Sequence, residues 1–401
     1  MDILITVGIF PPDIGGPASF VPKISQYLID KGHKIKIICL SDRENLNRKD
    51  DFNVVRIDRS LPILIRWIKT VINIYKHGKN CDLIFVNGLG TETTIANRFL
   101  KKVIVRKIVG DPVWERAYNN KSTTQSFDEF QKNKHNLSIG IQKKIRNWSI
   151  NRSDLVITPS RHLYNFVQRI GSTTLGIDSN IEQPRGDYIN NGVEIININK
   201  KLFGNKKIKV LVVSRLVVQK NIDLVIKAIK HNENKNIHLD IIGDGNELDN
   251  LKNLVNNEKL NDRINFVGKV DKDKLSGYLK KADIFIQASD YEGLPHSILE
   301  AMNHEISILA TQVGGCYELL EDEKRGYIIS TPVSELEIAK SIDAIIKNKD
   351  ESINKTKLAK EYIKIHYNFK STAKYYEDHL KFETSSYGGY KNQARRRWTN
   401  L

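Results

Sequence analysis

The residues of this chain best placed to do chemistry lie in Ser289-Asp290-Tyr291-Glu292-Gly293-Leu294-Pro295-His296-Ser297-Ile298-Leu299-Glu300. The apolar run before them, 282–288, reads as a buried strand, and the run after them as a helix with Pro295 near its first turn. A strand-to-helix turn leaves free backbone N–H groups aimed at one spot, which favours an anionic ligand. Glu292 falls in the turn and Glu300 about a turn and a half into the helix. Both then border one crevice at the carboxyl edge of a parallel sheet, where open α/β sheets bind ligands. A sugar nucleotide suits such a crevice.

A second group is cationic. Val213-Ser214-Arg215-Leu216 closes another strand-like run and is followed by Gln219-Lys220-Asn221. A guanidinium and an ammonium fixed at a strand's carboxyl edge stabilise a leaving diphosphate most as its charge develops. Arg215 offers a planar fork and Lys220 a mobile point charge. The bland alternative is two solvated surface cations. The glutamates also have other readings: the acid and nucleophile of a glycosidase, or helix N-terminal acidity worth only ~0.3–1 kcal/mol. The glycines supply backbone freedom. Gly15 and Gly16 permit a tight turn after the first strand, Gly314 and Gly315 allow close approach to a ligand, and Gly243 and Gly245 end a strand. A lone Gly-Gly is weak evidence, and an ordinary strand–helix turn explains it equally well.

These residues need a scaffold. Short runs rich in Ile and Val, bounded by Gly, Asp, Asn or Pro, occur at 3–7, 34–40, 54–57, 83–86, 103–109 and 155–158. A second series lies at 209–214, 239–243, 264–267, 284–288, 307–310 and 327–329, separated mostly by helical runs at 221–231, 247–257, 272–281 and 335–348. This alternation predicts two α/β halves with largely parallel sheets. The polar stretch 190–207 reads as the joint, 355–366 and 372–382 as closing helices, and 385–401 as a disordered basic tail.

The chain has 401 residues, mean hydropathy −0.40 and a formal charge of +16, enough for about two soluble domains. No apolar run reaches the ~18 residues of a membrane span. Asp2 and the Pro11-Pro12-Asp13 stop make the opening run a first strand rather than a leader. Cys39, Cys81 and Cys316 are few and scattered, fitting a reducing, cytoplasmic setting rather than a disulfide frame. The positive charge is either a solvated lysine-rich surface or a sign of an anionic partner. Zinc spacing, a basic zipper and an RNA-binding signature are lacking, which argues against nucleic acid. The Gly15-Gly16 region also lacks the G-x-G-x-x-G spacing of a nicotinamide enzyme.

Five motifs in order carry a resemblance: Phe10-Pro11-Pro12-Asp13-Ile14-Gly15-Gly16, Val213-Ser214-Arg215-Leu216 with Gln219-Lys220-Asn221, Ile242-Gly243-Asp244-Gly245, the twin-glutamate loop, and Val313-Gly314-Gly315 with Glu318. Up to about Phe382 the chain resembles a family 4 retaining glycosyltransferase of the GT-B fold. The resemblance implies two Rossmann-like α/β domains facing a cleft, an acceptor domain over 1–198 and a donor domain over 199–365. It also implies a closing helix, 366–384, that braces the first domain, leaving 385–401 as tail. It assigns donor binding to Arg215, Lys220, Gly243, Gly245, Gly293, Leu294, Pro295, Glu300, Gly314 and Gly315. Glu300 would hold the ribose, and Glu292 would lie near the sugar with a catalytic role. Retention by front-face displacement follows, and the cationic pair would make a metal or other cofactor unnecessary.

One departure matters. Many relatives carry a histidine after the fourth strand, where this chain has Asn87-Gly88-Leu89-Gly90. Asn87 cannot act as a base at neutral pH. The next run ends in Val109-Gly110-Asp111-Pro112-Val113-Trp114-Glu115-Arg116, so Asp111 and Glu115 become the carboxylates expected near a first-domain acceptor, beside Gly15, Gly16 and Asn87. Asp111 is expected either to orient and deprotonate the acceptor hydroxyl or merely to cap the turn. The rival to a transferase is a catalytically inactive subunit that binds nucleotide sugar. Finally, 62–79 mixes Ile63, Leu64, Ile65, Trp67, Ile68 and Ile72 with Arg66, Lys69, Lys76 and Lys79. It reads as a helix packed on its own sheet with a basic edge, or as one lying peripherally on anionic membrane with a lipid-linked acceptor.

Overall fold

A computed structural model describes residues 1–13, 15–173, 185–198, 202–321 and 323–399. The chain divides into two units. Unit 1 holds Met1–Val109, His135–Asn191 and the chain end from Lys370, and unit 2 holds Gly110–Lys134 and Gly192–Phe369.

Unit 1 contains strands β1 (Asp2–Val7), β2 (Lys34–Ser41), β3 (Asn53–Asp58), β4 (Leu83–Asn87), β5 (Val103–Lys107), β6 (Leu155–Thr158) and β7 (Arg185–Tyr188). Unit 2 contains β8 (Ile208–Val213), β9 (Ile237–Ile242), β10 (Ile264–Gly268), β11 (Ile284–Gln287), β12 (Ser307–Thr311) and β13 (Tyr327–Ile329). The helices are α1 (Gly16–Asp30), α2 (Ile63–Gly78), α3 (Gly90–Leu100), α4 (Pro112–Asn119), α5 (Phe127–Lys132), α6 (Leu137–Asn151) and α7 (Arg161–Thr173). They continue with α8 (Ile222–His231), α9 (Leu248–Asn257), α10 (Lys272–Lys281), α11 (His296–Asn303), α12 (Gly314–Leu320), α13 (Glu335–Lys347), α14 (Lys349–His366) and α15 (Phe369–Thr399).

All strand pairs are parallel, in the orders β3-β2-β1-β4-β5-β6-β7 and β10-β9-β8-β11-β12-β13. The central strands are buried along their length, as sheets covered on both faces require, which explains their unbroken Ile/Val runs. Each sheet is doubly wound. Its order reverses between β1 and β4 in unit 1 and between β8 and β11 in unit 2, and at such reversals the loops leaving the strands part to form a crevice.

Three features differ from the sequence reading. The segment 110–134 sits with unit 2, not with the strands that precede it in sequence. The expected disordered tail is helical to Thr399, since a nucleated helix extends at the cost of one residue at a time. And α2 turns Thr70, Ile74 and Gly78 inward while Ile65, Ile68 and Ile72 face out. The inward face is close-packed at its end: a side chain at Gly78 would stand 2.6 Å from Leu100 of α3.

In unit 1 the start of α15 packs on the sheet. The Tyr376 ring is fully buried against Phe20 and Phe85, and Glu377 accepts a hydrogen bond from Tyr27. Lys107, at the end of β5, is buried beside the Phe20 ring and donates to Asn191 Oδ1 at 2.6 Å. Burial pushes its ammonium well down.

Candidate active site

The loops leaving β8 and β11 flank the reversal point of the second sheet, and the predicted donor residues collect there. After β8 the backbone turns through Ser214, Arg215 and Leu216 and makes a 3-10 turn over Val218–Lys220. Asn221 then takes the left-handed conformation, φ 50°, ahead of α8. The Gly243-Asp244-Gly245 turn after β9 lies directly against this loop. Leu216 N–H donates to Asp244 O at 2.9 Å, and Glu247 N–H donates to Leu216 O at 3.0 Å. A side chain at Gly243 would meet Ser214 O at 1.8 Å, and one at Gly245 would meet Leu216 O at 2.2 Å. Both glycines therefore let two backbones cross and hold Arg215 in place.

After β11 the Glu292 carboxylate is held by three donors on a single oxygen, Oε1: Lys220 Nζ at 2.5 Å, Gln287 Nε2 at 2.5 Å and Ser289 Oγ at 2.8 Å. Gln287 in turn accepts from Ser297 on α11, and Ser289 O accepts from Thr311 on β12. The Lys220–Glu292 pair is nearly buried, with side chains 10% and 14% exposed, whereas the Arg215 side chain is 60% exposed. The two cations therefore differ. Lys220 is paired with Glu292 and fixed, and Arg215 projects. Sequence reasoning assigns no role to Gln287, because a polar residue ending a buried strand carries no motif, and it places Ser289 only as the start of the loop. Leu294 packs into the core with Ile298, and Pro295 precedes α11, so Gly293, Leu294 and Pro295 can offer a ligand only their backbone. Glu300 lies half-buried on α11.

Gly315 seats this turn. Its N–H donates to Glu292 O at 3.0 Å, and an added side-chain carbon would stand 2.4 Å from Gly293 O and 2.7 Å from Leu294 Cα. Gly314, at φ +38°, makes the approach possible. Gly315→Ala is therefore expected to push the 292–294 turn aside, destabilise the protein by about 1–3 kcal/mol and weaken nucleoside-diphosphate binding. Calorimetric melting and titration of the same preparation would read both effects.

The 110–134 segment brings further groups to unit 2. Asp111 is fully buried and caps α4. Its Oδ1 accepts from Val113 N–H at 3.0 Å and its Oδ2 from Gln131 Nε2 at 2.9 Å. Glu115, one helical turn later, points toward the cations, with Oε2 3.6 Å from Arg215 Nη2. Burial pushes its carboxyl up against the opposing pull of Arg215 and Lys220. Gly110 leaves the room this carboxylate occupies, since a side chain there would meet Glu115 Oε1 at 2.6 Å. The segment is anchored by aromatic rings. Tyr291 stacks on Phe127 with centroids 4.2 Å apart and meets the Trp114 edge, and Tyr118 donates to Asp290 at 2.6 Å. Trp114 and Tyr118 lie four apart on one helical face, a spacing legible in sequence whose partner was not.

The remaining predicted residues lie in unit 1. Gly15, at φ +153°, precedes α1, and Gly16 begins it. Asn87 ends β4 beside the reversal point of the first sheet. It is 5% exposed, and neither atom of its amide has a protein partner.

Against this geometry, the family model for glycosyl transferases group 1 matches residues 194–366. The match covers somewhat under half of the chain. The matched stretch contains Arg215, Lys220, Glu292, Glu300, Gly314 and Gly315. An uncharacterized glycosyltransferase of Methanocaldococcus jannaschii is 30% identical over 257 residues, covering 61% of this chain and 62% of that protein, so the chain spans under two thirds of that relative. The GPI3 subunit of phosphatidylinositol N-acetylglucosaminyltransferase from Saccharomyces cerevisiae is 23% identical over 93% of this chain and 84% of its own length. The crystal structure of Anabaena HepE in complex with UDP and glucose superposes with a TM-score of 0.72 at 18% identity, covering 95% of this chain and 99% of that one. The glycosyltransferase fold, two Rossmann-like units of GT-B type, is thereby established.

Proposed function

We propose that this protein is a retaining glycosyltransferase that moves a sugar from a nucleoside-diphosphate sugar to a hydroxyl acceptor. The setting we assign is synthesis of cell-surface polysaccharide, lipopolysaccharide or glycolipid, in the cytoplasm and peripherally at the inner face of the cell membrane. The observation that carries this reading is the projecting Arg215 beside the fixed Lys220–Glu292 pair, at a sheet's reversal point and within the family match. A solved neighbour in complex with UDP and glucose supports a sugar diphosphate as the ligand class.

In the reaction the bond from the anomeric carbon to the phosphate oxygen breaks, and its electron pair goes to the diphosphate. The acceptor oxygen bonds to the same face of the carbon, and its proton passes to the departing phosphate oxygen. Arg215 stabilises the charge that develops on the diphosphate, where a fixed donor acts most strongly. Glu292, oriented by Lys220, Gln287 and Ser289, sets the local field around the sugar. Asp111 is not given the acceptor proton, because its two oxygens already accept from Val113 N–H and Gln131 Nε2, and Glu115 is the carboxylate assigned to the reacting sugar instead. An ionised Glu115 supports the cationic character of the reacting sugar. Asn87, Gly15 and Gly16 are assigned to acceptor binding in unit 1, with the unpartnered Asn87 amide suited to a sugar hydroxyl. The charge supplied by Arg215 and Lys220 makes the transfer metal-independent in this reading.

The test is turnover of UDP-, GDP- and ADP-sugars. One donor should release its nucleoside diphosphate slowly in water, with the freed sugar first in its original anomeric form and no loss in chelator. Tight donor binding with neither hydrolysis nor transfer would favour the second reading, an inactive nucleotide-sugar-binding subunit. The substitution of Asn87 for the family's histidine, together with a relative that is a subunit, keeps that reading in view.

The pH dependence of that turnover carries its own expectation. With the Glu115 carboxyl raised by burial, the acid limb of kcat/KM should lie above the ordinary glutamate value of ~4.3. Glu115→Gln should remove that limb. The linkage sign agrees. A raised folded-state pKa stabilises the protein below the unfolded value and gives that stability up as pH rises through the folded one. Glu115→Gln should therefore gain stability relative to the parent at neutral pH and lose the advantage in acid, as melting curves across pH would show.

A further inference from the structure

We propose that α2, α3 and α6 of unit 1 form a docking surface for an anionic lipid bilayer. The inference deepens the peripheral-membrane reading above and is independent of the transfer reaction. It begins with α2, whose inward face is used up by Thr70, Ile74 and Gly78. The outward face carries Ile65, Ile68, Ile72 and Tyr75, each between 38% and 58% exposed, and Ile63 and Leu64 at its start are more exposed still. A globular helix normally turns such residues to its core, so this stripe is unexplained by the fold.

The stripe does not end with α2. Phe99 of α3, 71% exposed, meets Tyr75 edge-on with centroids 6.4 Å apart. On α6, Leu137, Ile141 and Ile145 repeat every fourth residue on one exposed face, Leu137 at 80%. Trp67 of α2 and Ile145 and Trp148 of α6 line a shared groove with Ile95 of α3, so the three helices present one apolar surface. Buried Arg106 fixes their spacing, donating to Thr94 of α3 and Ser149 of α6 at 2.8 and 3.0 Å.

Charge selects the occupant. Neither α2 nor α6 contains an acidic residue. Exposed Lys69, Lys76 and Lys79 border the α2 stripe, Arg98 and Lys101 border Phe99, and Lys144 borders Ile145. Lys79 also sits over the Tyr75 ring, its ammonium 4.7 Å from the centroid. Apolar side chains inside a basic rim, with tryptophans between, match an interface of acyl chains under anionic headgroups. A second copy fits worse, since two-fold pairing would set one basic rim against another.

Flotation of the full chain with vesicles of phosphatidylcholine alone, and of phosphatidylcholine mixed with phosphatidylglycerol, tests the assignment. Binding should need the anionic lipid and weaken in high salt. Lys69→Glu/Lys76→Glu should lower partitioning by about tenfold or more, and Ile68→Asp/Ile72→Asp should abolish it even at low salt. Both variants should keep the parent's melting temperature, nucleoside-diphosphate binding and donor hydrolysis, because the exposed stripe serves none of them. Failure of the parent chain to bind either vesicle would overturn the membrane reading. Binding that both variants retain would overturn this surface while leaving that reading intact. A concentration-dependent dimer lost in Ile68→Asp/Ile72→Asp, without vesicle binding, would make the face a self-interface and overturn the proposal.

Discussion

Lys220→Met is expected to cost far more stability than an exposed lysine should, and Glu292→Gln added to it is expected to restore most of that loss without restoring transfer. Removing one partner of a nearly buried ion pair leaves the other charge uncompensated, which typically costs about 3–5 kcal/mol. At ~2–4 °C per kcal/mol for a domain of this size, the melting temperature should fall on the order of 10 °C. Neutralising Glu292 as well removes the orphaned charge, while Gln287 and Ser289 can still hydrogen-bond the new amide. Transfer should stay low in the double variant, because the fixed cation near the diphosphate is gone. Equal melting temperatures for Lys220→Met and the parent would show that the pair is not the clamp described here. Recovered turnover in the double variant would show that Lys220 serves folding alone.

Arg215→Gln separates chemistry from folding in the opposite way. Its side chain is largely exposed and its contact with Glu115 is loose, so stability should change by no more than ~0.5 kcal/mol. The same change should lower kcat by about 10²–10³, the usual loss when a preorganised stabiliser of developing charge is removed. Binding of the free nucleoside diphosphate should weaken less than kcat falls, because the contact strengthens as the leaving group gains charge. Arg215→Lys should recover only part of the rate, since an ammonium lacks the planar fork. A variant of Arg215 and Lys220 together that folds and still forms product at the parent's rate would end the proposed mechanism.

Much of the architecture is legible in the chain because it rests on local physics. Every Ile/Val run flagged in the sequence falls on a strand, since parallel strands covered by helices are largely apolar. The strand missed, β7, is the edge of its sheet and reads Arg-Gly-Asp-Tyr, a polar stretch with no period to detect. The two-unit organisation follows from the alternation of strand and helix. The excursion of 110–134 into unit 2 does not, because it depends on Tyr291 meeting Trp114 and Phe127 across a long sequence separation.

For the candidate site, residue types and spacing determine which groups gather at a strand's carboxyl edge: Arg215, Lys220, Glu292, and the glycines that let backbones cross. They also mark Asp111 and Glu115 as the carboxylates of interest. Only the tertiary structure decides what each group is free to do. It commits Lys220 to Glu292 and leaves Arg215 projecting. It spends Asp111 on a helix cap and turns Glu115 toward the cations. It sets the apolar stripe of α2 outward, where its periodicity alone would have placed it on the core. The physical reason is the same throughout: a sequence fixes which side chains share a face or a turn, whereas burial and pairing depend on the neighbours that the folded chain brings from elsewhere.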